Sequence, residues 1–122
     1  MLINCSNHPS SLWGPSQVEA AKAYGEIFDI PYPQVDPWLD TNGIRKLVDE
    51  YVVKIENLNP DAVFLAGEFT FLFMLTDKLL KDGIHVISAC SMRDTSEVLR
   101  SDGSTEKRTT FVFKQFRDYS YY

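Results

Sequence analysis

Ser6, Asn7 and His8 follow at once on a short apolar run, Leu2-Ile3, and are closed off by Pro9. Serine and asparagine side chains both donate and accept hydrogen bonds, and an imidazole moves protons near neutral pH. A loop of these residues either holds a ligand or merely turns the chain. Two further stretches have the same form, an apolar run that breaks into polar residues. Gly67-Glu68-Phe69-Thr70 follows residues 62–66, and Ser91-Met92-Arg93 follows residues 84–90. Glycine lets backbone amides approach a ligand, and a helix N-terminus after it favours anions. Glu68 suits a catalytic carboxylate, and equally a first-turn acid that complements the helix dipole. Arg93 offers a planar donor fork for phosphate, or an ion pair with Asp94 or Glu97. These residues serve one chemistry only if the fold gathers them.

The elements that must do so are legible as periodicities. Residues 2–5 read as a first strand. Ser16 and Glu19 have capping-box spacing, which predicts a helix over 17–24 stopped by Gly25. "EIFDI" (26–30) reads as a second strand, ended by Pro31 and Pro33. From Thr41 to Leu58 the apolar residues Ile44, Leu47, Val48, Tyr51, Val52, Ile55 and Leu58 recur at helical spacing. Residues 62–66 form an apolar run of the kind buried on both faces of a sheet. Residues 69–83 predict a third helix stopped at Gly83, its first half apolar nearly all round. "IHVISAC" (84–90) is a fourth strand, with His85 expected in the core. Alternation on either side of Asp102-Gly103 predicts a hairpin over 97–116.

Four strands alternate with three helices before the hairpin. That order predicts an α/β fold, a Rossmann-like or flavodoxin-like three-layer sandwich. Its parallel sheet would hold four strands in the order 2-1-3-4, plus a C-terminal β-hairpin. Ligands of such sheets bind beyond the carboxyl ends of the strands, where the order reverses. The three polar stretches fall on that edge. His8, Gly67, Glu68, Thr70 and Arg93 are therefore expected in one pocket, with Ser6, Asn7, Phe69 and Ser91 beside them.

Composition narrows the partners. A chain of 122 residues is one domain, and 44% hydrophobic with 24% charged residues is ordinary for a soluble globular protein. No apolar stretch reaches the roughly 20 residues of a membrane span. The start of the chain has no basic region followed by an apolar core, so a cytoplasmic location is expected. Cys5 and Cys90 are too few for a disulfide framework and lack metal-ligand spacing. With no acidic cluster, no G-x-G-x-x-G and no Walker loop, no metal and no cofactor is expected. A net charge of −5 argues against a grip on long nucleic acid. It leaves room for a small anionic nucleotide, with Trp13 and Trp38 as stacking residues or packing residues. The excess of apolar surface on the third helix, residues 69–80, predicts a homodimer interface, or equally tight burial under the last hairpin.

A strand leading straight to Ser6-Asn7-His8-Pro9 in so compact a domain resembles the small CRISPR-associated CARF-like and ring-nuclease-like proteins, which carry a Ser-x-His-Pro loop after their first strand. Ser6, His8 and Pro9 are the matching residues; the stretches at 67–70 and 91–93 match in position only. The resemblance implies a protein of type III CRISPR antiviral signalling that recognises a cyclic oligoadenylate. It implies in some cases metal-independent cleavage of the ring, with His8 as general acid or base. Two other classes stay open: a non-catalytic nucleotide-binding module, and a nucleoside- or nucleotide-processing enzyme that uses Glu68.

Overall fold

The computed structural model describes residues 1–122. Five strands form one sheet: β1 (Leu2–Ser6), β2 (Ile27–Asp29), β3 (Ala62–Ala66), β4 (Val86–Leu99) and β5 (Thr105–Asp118). Their order is β2-β1-β3-β4-β5. The first three pairings are parallel, and β4–β5 is antiparallel. The expected order 2-1-3-4 is the one observed. The expected separation of a fourth strand from a hairpin is not. Strand β4 runs unbroken into the first arm of the hairpin, and β5 joins the sheet as its fifth strand.

Three helices cover the sheet: α1 (Pro15–Ala21), α2 (Thr41–Asn57) and α3 (Phe69–Lys81). Helix α1 starts two residues before the capping-box reading. Gly14 is its N-cap and Pro15 opens its first turn, a position that needs no amide donor. A 3-10 turn carries it to Tyr24. Asp40 caps α2 by accepting from the Gly43 amide at 2.8 Å, and Ile44, Val48, Tyr51, Val52 and Ile55 form its buried stripe.

Alternation along the strands divides the core in two. Ile3, Cys5, Val63, Leu65 and Val86 face α2 and α3, where they meet Ile55, Phe71, Leu75 and Leu79. Leu2, Ala62, Phe64 and Ile87 face the other way, against Trp13, Ala21 and Phe116. Trp13 is thus a core residue, edge-on to Phe64 with ring centroids 5.6 Å apart, whereas Trp38 is 92% exposed. His85 is a correction as well. It precedes β4, lies at the surface, and pairs through Nε2 with Asp118 at 2.6 Å. No helix is long and apolar enough to cross a membrane.

Candidate functional site

Strands β1 and β2 end side by side, with Asn4 in register with Asp29. There a cavity of about 370 Å³ opens, lined by Asn4, Ser6, Asn7, Pro9, Asp29, Ile30, Pro31 and Tyr32. Its floor is a closed hydrogen-bond network. Asn4 is 1% exposed, and its amide donates to the His8 carbonyl and to Asp29 Oδ1, each at 3.0 Å. The Ser6 hydroxyl donates to Asn4 Oδ1 at 2.6 Å and accepts from the His8 amide at 3.2 Å. Trp13 Nε1 donates to the same His8 carbonyl at 3.2 Å. The Ser10 hydroxyl (2.9 Å) and amide (3.2 Å) both donate to Asp29 Oδ2.

The polar run is therefore a turn and a pocket at once. Its backbone is held from three sides, while the Asn7 and His8 side chains stay exposed and form none of these bonds. Asp29 accepts three hydrogen bonds and remains exposed; a carboxylate has about four lone-pair directions to use, so one is left for a ligand. Neither Asp29 nor Tyr32 was singled out by sequence reasoning. A carboxylate set between the apolar Phe28 and Ile30 was the available signal for Asp29. Tyr32, in the proline-rich stretch, gave none.

The second stretch has a structural task. Glu68 is the N-cap of α3. Its carboxylate accepts from the Thr70 amide at 2.9 Å, the Phe71 amide at 2.8 Å and the Thr70 hydroxyl at 2.7 Å. Those bonds, Phe71's first, hold its pKa below the ordinary glutamate value. A weaker base with both oxygens engaged is poorly suited to proton abstraction. Gly67 has a steric reason. A Cβ there would lie 2.3 Å from a Tyr32 ring carbon, because that ring is seated on the glycine and its hydroxyl donates to the Glu68 carbonyl at 2.8 Å. Tyr32 thus covers Gly67 at the carboxyl end of β3 while it lines the cavity beside β1 and β2. Phe69 turns away, 83% exposed, into an apolar groove described below.

The third stretch leaves the site altogether. Only Val86 and Ile87 of β4 pair with β3. Ser91 and Arg93 lie further along, opposite Phe113 and Phe111 of β5. Arg93 is six residues past Ile87, roughly 20 Å at strand rise. The expected convergence of His8, Gly67, Glu68, Thr70 and Arg93 does not occur. The structure joins Ser6, Asn7 and the His8 backbone to Asp29, gives Gly67, Glu68 and Thr70 to the start of α3, and sends Ser91 and Arg93 outward. No group of three or more histidine, cysteine, aspartate or glutamate side chains is placed to hold a metal.

Fold and site together define a mixed α/β domain with a polar cavity at the carboxyl ends of its first two strands. The chain belongs to the Uncharacterized protein MJ1673 family, whose model matches residues 1–117. No curated protein and no solved structure matches it.

Proposed function

We propose that this protein binds a small ribonucleotide, of the cyclic oligoadenylate class, in the cavity between β1 and β2. The observation that supports this reading is Asp29, an exposed carboxylate at the end of β2 with accepting capacity left over. In dinucleotide-binding Rossmann sheets, part of the finer class we assign to this order of parallel strands, an acid beyond the first βα turn accepts from a ribose hydroxyl, and Asp29 offers a comparable acceptor here. Asn7 supplies a neutral donor and acceptor for a base or sugar. No lysine or arginine lines the cavity, so the sugar and base go in and the phosphates stay at its mouth. By the usual scale of small-ligand sites the volume suits one nucleoside-sized group per chain.

Binding without turnover is the simpler form of the proposal. Cleavage adds one step: the 2′-oxygen attacks the adjacent phosphorus, the bond to the 5′-oxygen breaks, and a 2′,3′-cyclic phosphate forms. The His8 side chain, exposed and outside the cavity lining, would take the hydroxyl proton and return one to the leaving 5′-oxygen. Its backbone is held by Ser6, Asn4 and Trp13. The Glu68 alternative loses support because that carboxylate caps α3.

Thermal unfolding with cyclic tetra-adenylate, cyclic hexa-adenylate, linear oligoadenylate or AMP tests the reading. A ligand at a hundred times its Kd stabilises the fold by about 2.7 kcal/mol. Asp29→Ala should abolish the shift and Glu68→Ala should keep it. If none of the four moves the transition, the proposal fails. Chromatography of the recovered ligand then separates binding from cleavage, which His8→Ala should slow by about 10²–10⁴-fold.

A further inference from the structure

Strands β4 and β5 are each 14 residues long, yet β4 has only two residues paired with β3. From Ser88 to Leu99 the chain pairs with β5 alone, as a two-stranded arm. The register shifts between Cys90 and Ser91, leaving Lys114 unpaired, and a bulge of this kind bends and re-aims a ribbon. Beyond it the arm reaches about 25 Å past the sheet. Isolated two-stranded ribbons are marginal in water. This one carries Met92, Leu99 and Phe111 at 60%, 74% and 73% exposure.

A second bare patch lies on α3. Phe69, Leu72, Phe73, Leu80, Tyr119 and Tyr121 line a groove of about 540 Å³ between the helix and the chain's end. Phe73 is 77% exposed there. Surface area shows how much is left uncovered. The chain exposes 8279 Å², against about 6,700 Å² for a folded monomer of its 14.0 kDa. The excess, about 1,600 Å² per chain, is about 3,200 Å² for a pair, inside the range of obligate homodimers. Charge is divided in the same way. Residues 88–118 hold six basic and five acidic side chains, and the rest of the chain holds six basic and twelve acidic. The part of the arm beyond the bulge, residues 91–113, is neutral, with four basic and four acidic side chains. It thus meets an acidic body in any second copy without like-charge repulsion.

We infer that the occupant of the α3 groove is the β4–β5 arm of a second copy of this chain, exchanged reciprocally about a two-fold axis. Such an exchange closes on itself, since each copy gives an arm and receives one. It extends the expected α3 interface to a contact between two different surfaces, and it does not rest on the ligand proposal.

Sedimentation equilibrium on the full chain and on Phe73→Glu and Met92→Glu tests it. Both side chains are exposed in the single chain, so neither change disturbs a monomer's core. The unaltered chain should sediment at twice 14.0 kDa. Each variant should dissociate with Kd raised at least about thirtyfold, the scale of a hot-spot loss. Mixing the two variants should restore a heterodimer, because the intact arm of the first finds the intact groove of the second. A monomer at millimolar concentration overturns the inference. So does a dimer broken by Phe73→Glu alone, or a mixture that stays dissociated, since either would mean groove against groove or a different partner.

Discussion

Gly67→Ala gives the sharpest test of how the site is built. The added Cβ would meet Tyr32 at 2.3, 2.4 and 2.7 Å from three ring carbons, well inside contact distance, so the ring must move. Moving it breaks the bond from the Tyr32 hydroxyl to the Glu68 carbonyl, at 2.8 Å. It also opens the edge-to-face contact with Phe71, whose centroid lies 5.2 Å away at 86°. A neutral hydrogen bond contributes about 0.5–1.5 kcal/mol, and an aromatic pair a similar amount beyond its buried area. The expected loss is about 1–3 kcal/mol, read as a lower urea midpoint at unchanged slope. Tyr32→Phe should lose only the hydrogen-bond share. In a Tyr32→Ala background Gly67→Ala should cost under about 0.5 kcal/mol, giving a large coupling in the double-mutant cycle. An equal cost in both backgrounds would refute the steric argument.

Other substitutions probe the network and the core. Asn4→Asp places a carboxylate against Asp29 Oδ1 and the His8 carbonyl at a site 1% exposed; it should cost at least about 2 kcal/mol, and less at low pH where the acid is neutral. Thr76→Val removes a buried hydroxyl that has no hydrogen-bond partner, so urea denaturation should show unchanged or increased stability. Glu68→Ala should cost about 1 kcal/mol as a lost helix cap. Because the folded state lowers the Glu68 pKa, its contribution is present above the ordinary glutamate value. It fades as pH falls through the folded value, so wild type and variant should converge in acid. A thiol reagent should label half-buried Cys90 in the native protein and Cys5 only after denaturation, since burial pushes the Cys5 thiol up to about 12.

Where one pattern dominated a segment, the sequence was readable. Helix α2 carries an uninterrupted period and strand β3 an uninterrupted apolar run, and the polar run after β1 lies at the carboxyl end of that strand. The fourth strand runs past its expected end because its apolar part stops at Cys90 while its pairing with β5 continues to Leu99. The stretch from Ile84 to Asp102 contains no glycine or proline, and that lack of a breaker is the sequence sign of its continuity. Gly103, at φ 89°, is the first residue able to turn the chain without strain. Gly67 illustrates the opposite difficulty. A glycine after a buried strand fits a ligand cradle and a seat for a distant aromatic ring equally well. Only the fold brings Tyr32, 35 positions earlier, onto it.

Strand alternation also decides which of the opening residues can do chemistry. Ile3 and Cys5 point to the face packed by α2 and α3, where the thiol is desolvated and stays protonated. Asn4 and Ser6, one residue either side of Cys5, point to the opposite face with Leu2, and there they tie the His8 carbonyl and Asp29 into one network. A shift of register by one residue would exchange the two sets. It would bury two polar groups among leucine, valine and phenylalanine and present the thiol to the cavity. The pairing of Leu2 through Ser6 with Ala62 through Ala66 therefore does more than extend the sheet. It places hydrogen-bonding groups, rather than a thiol, at the cavity edge.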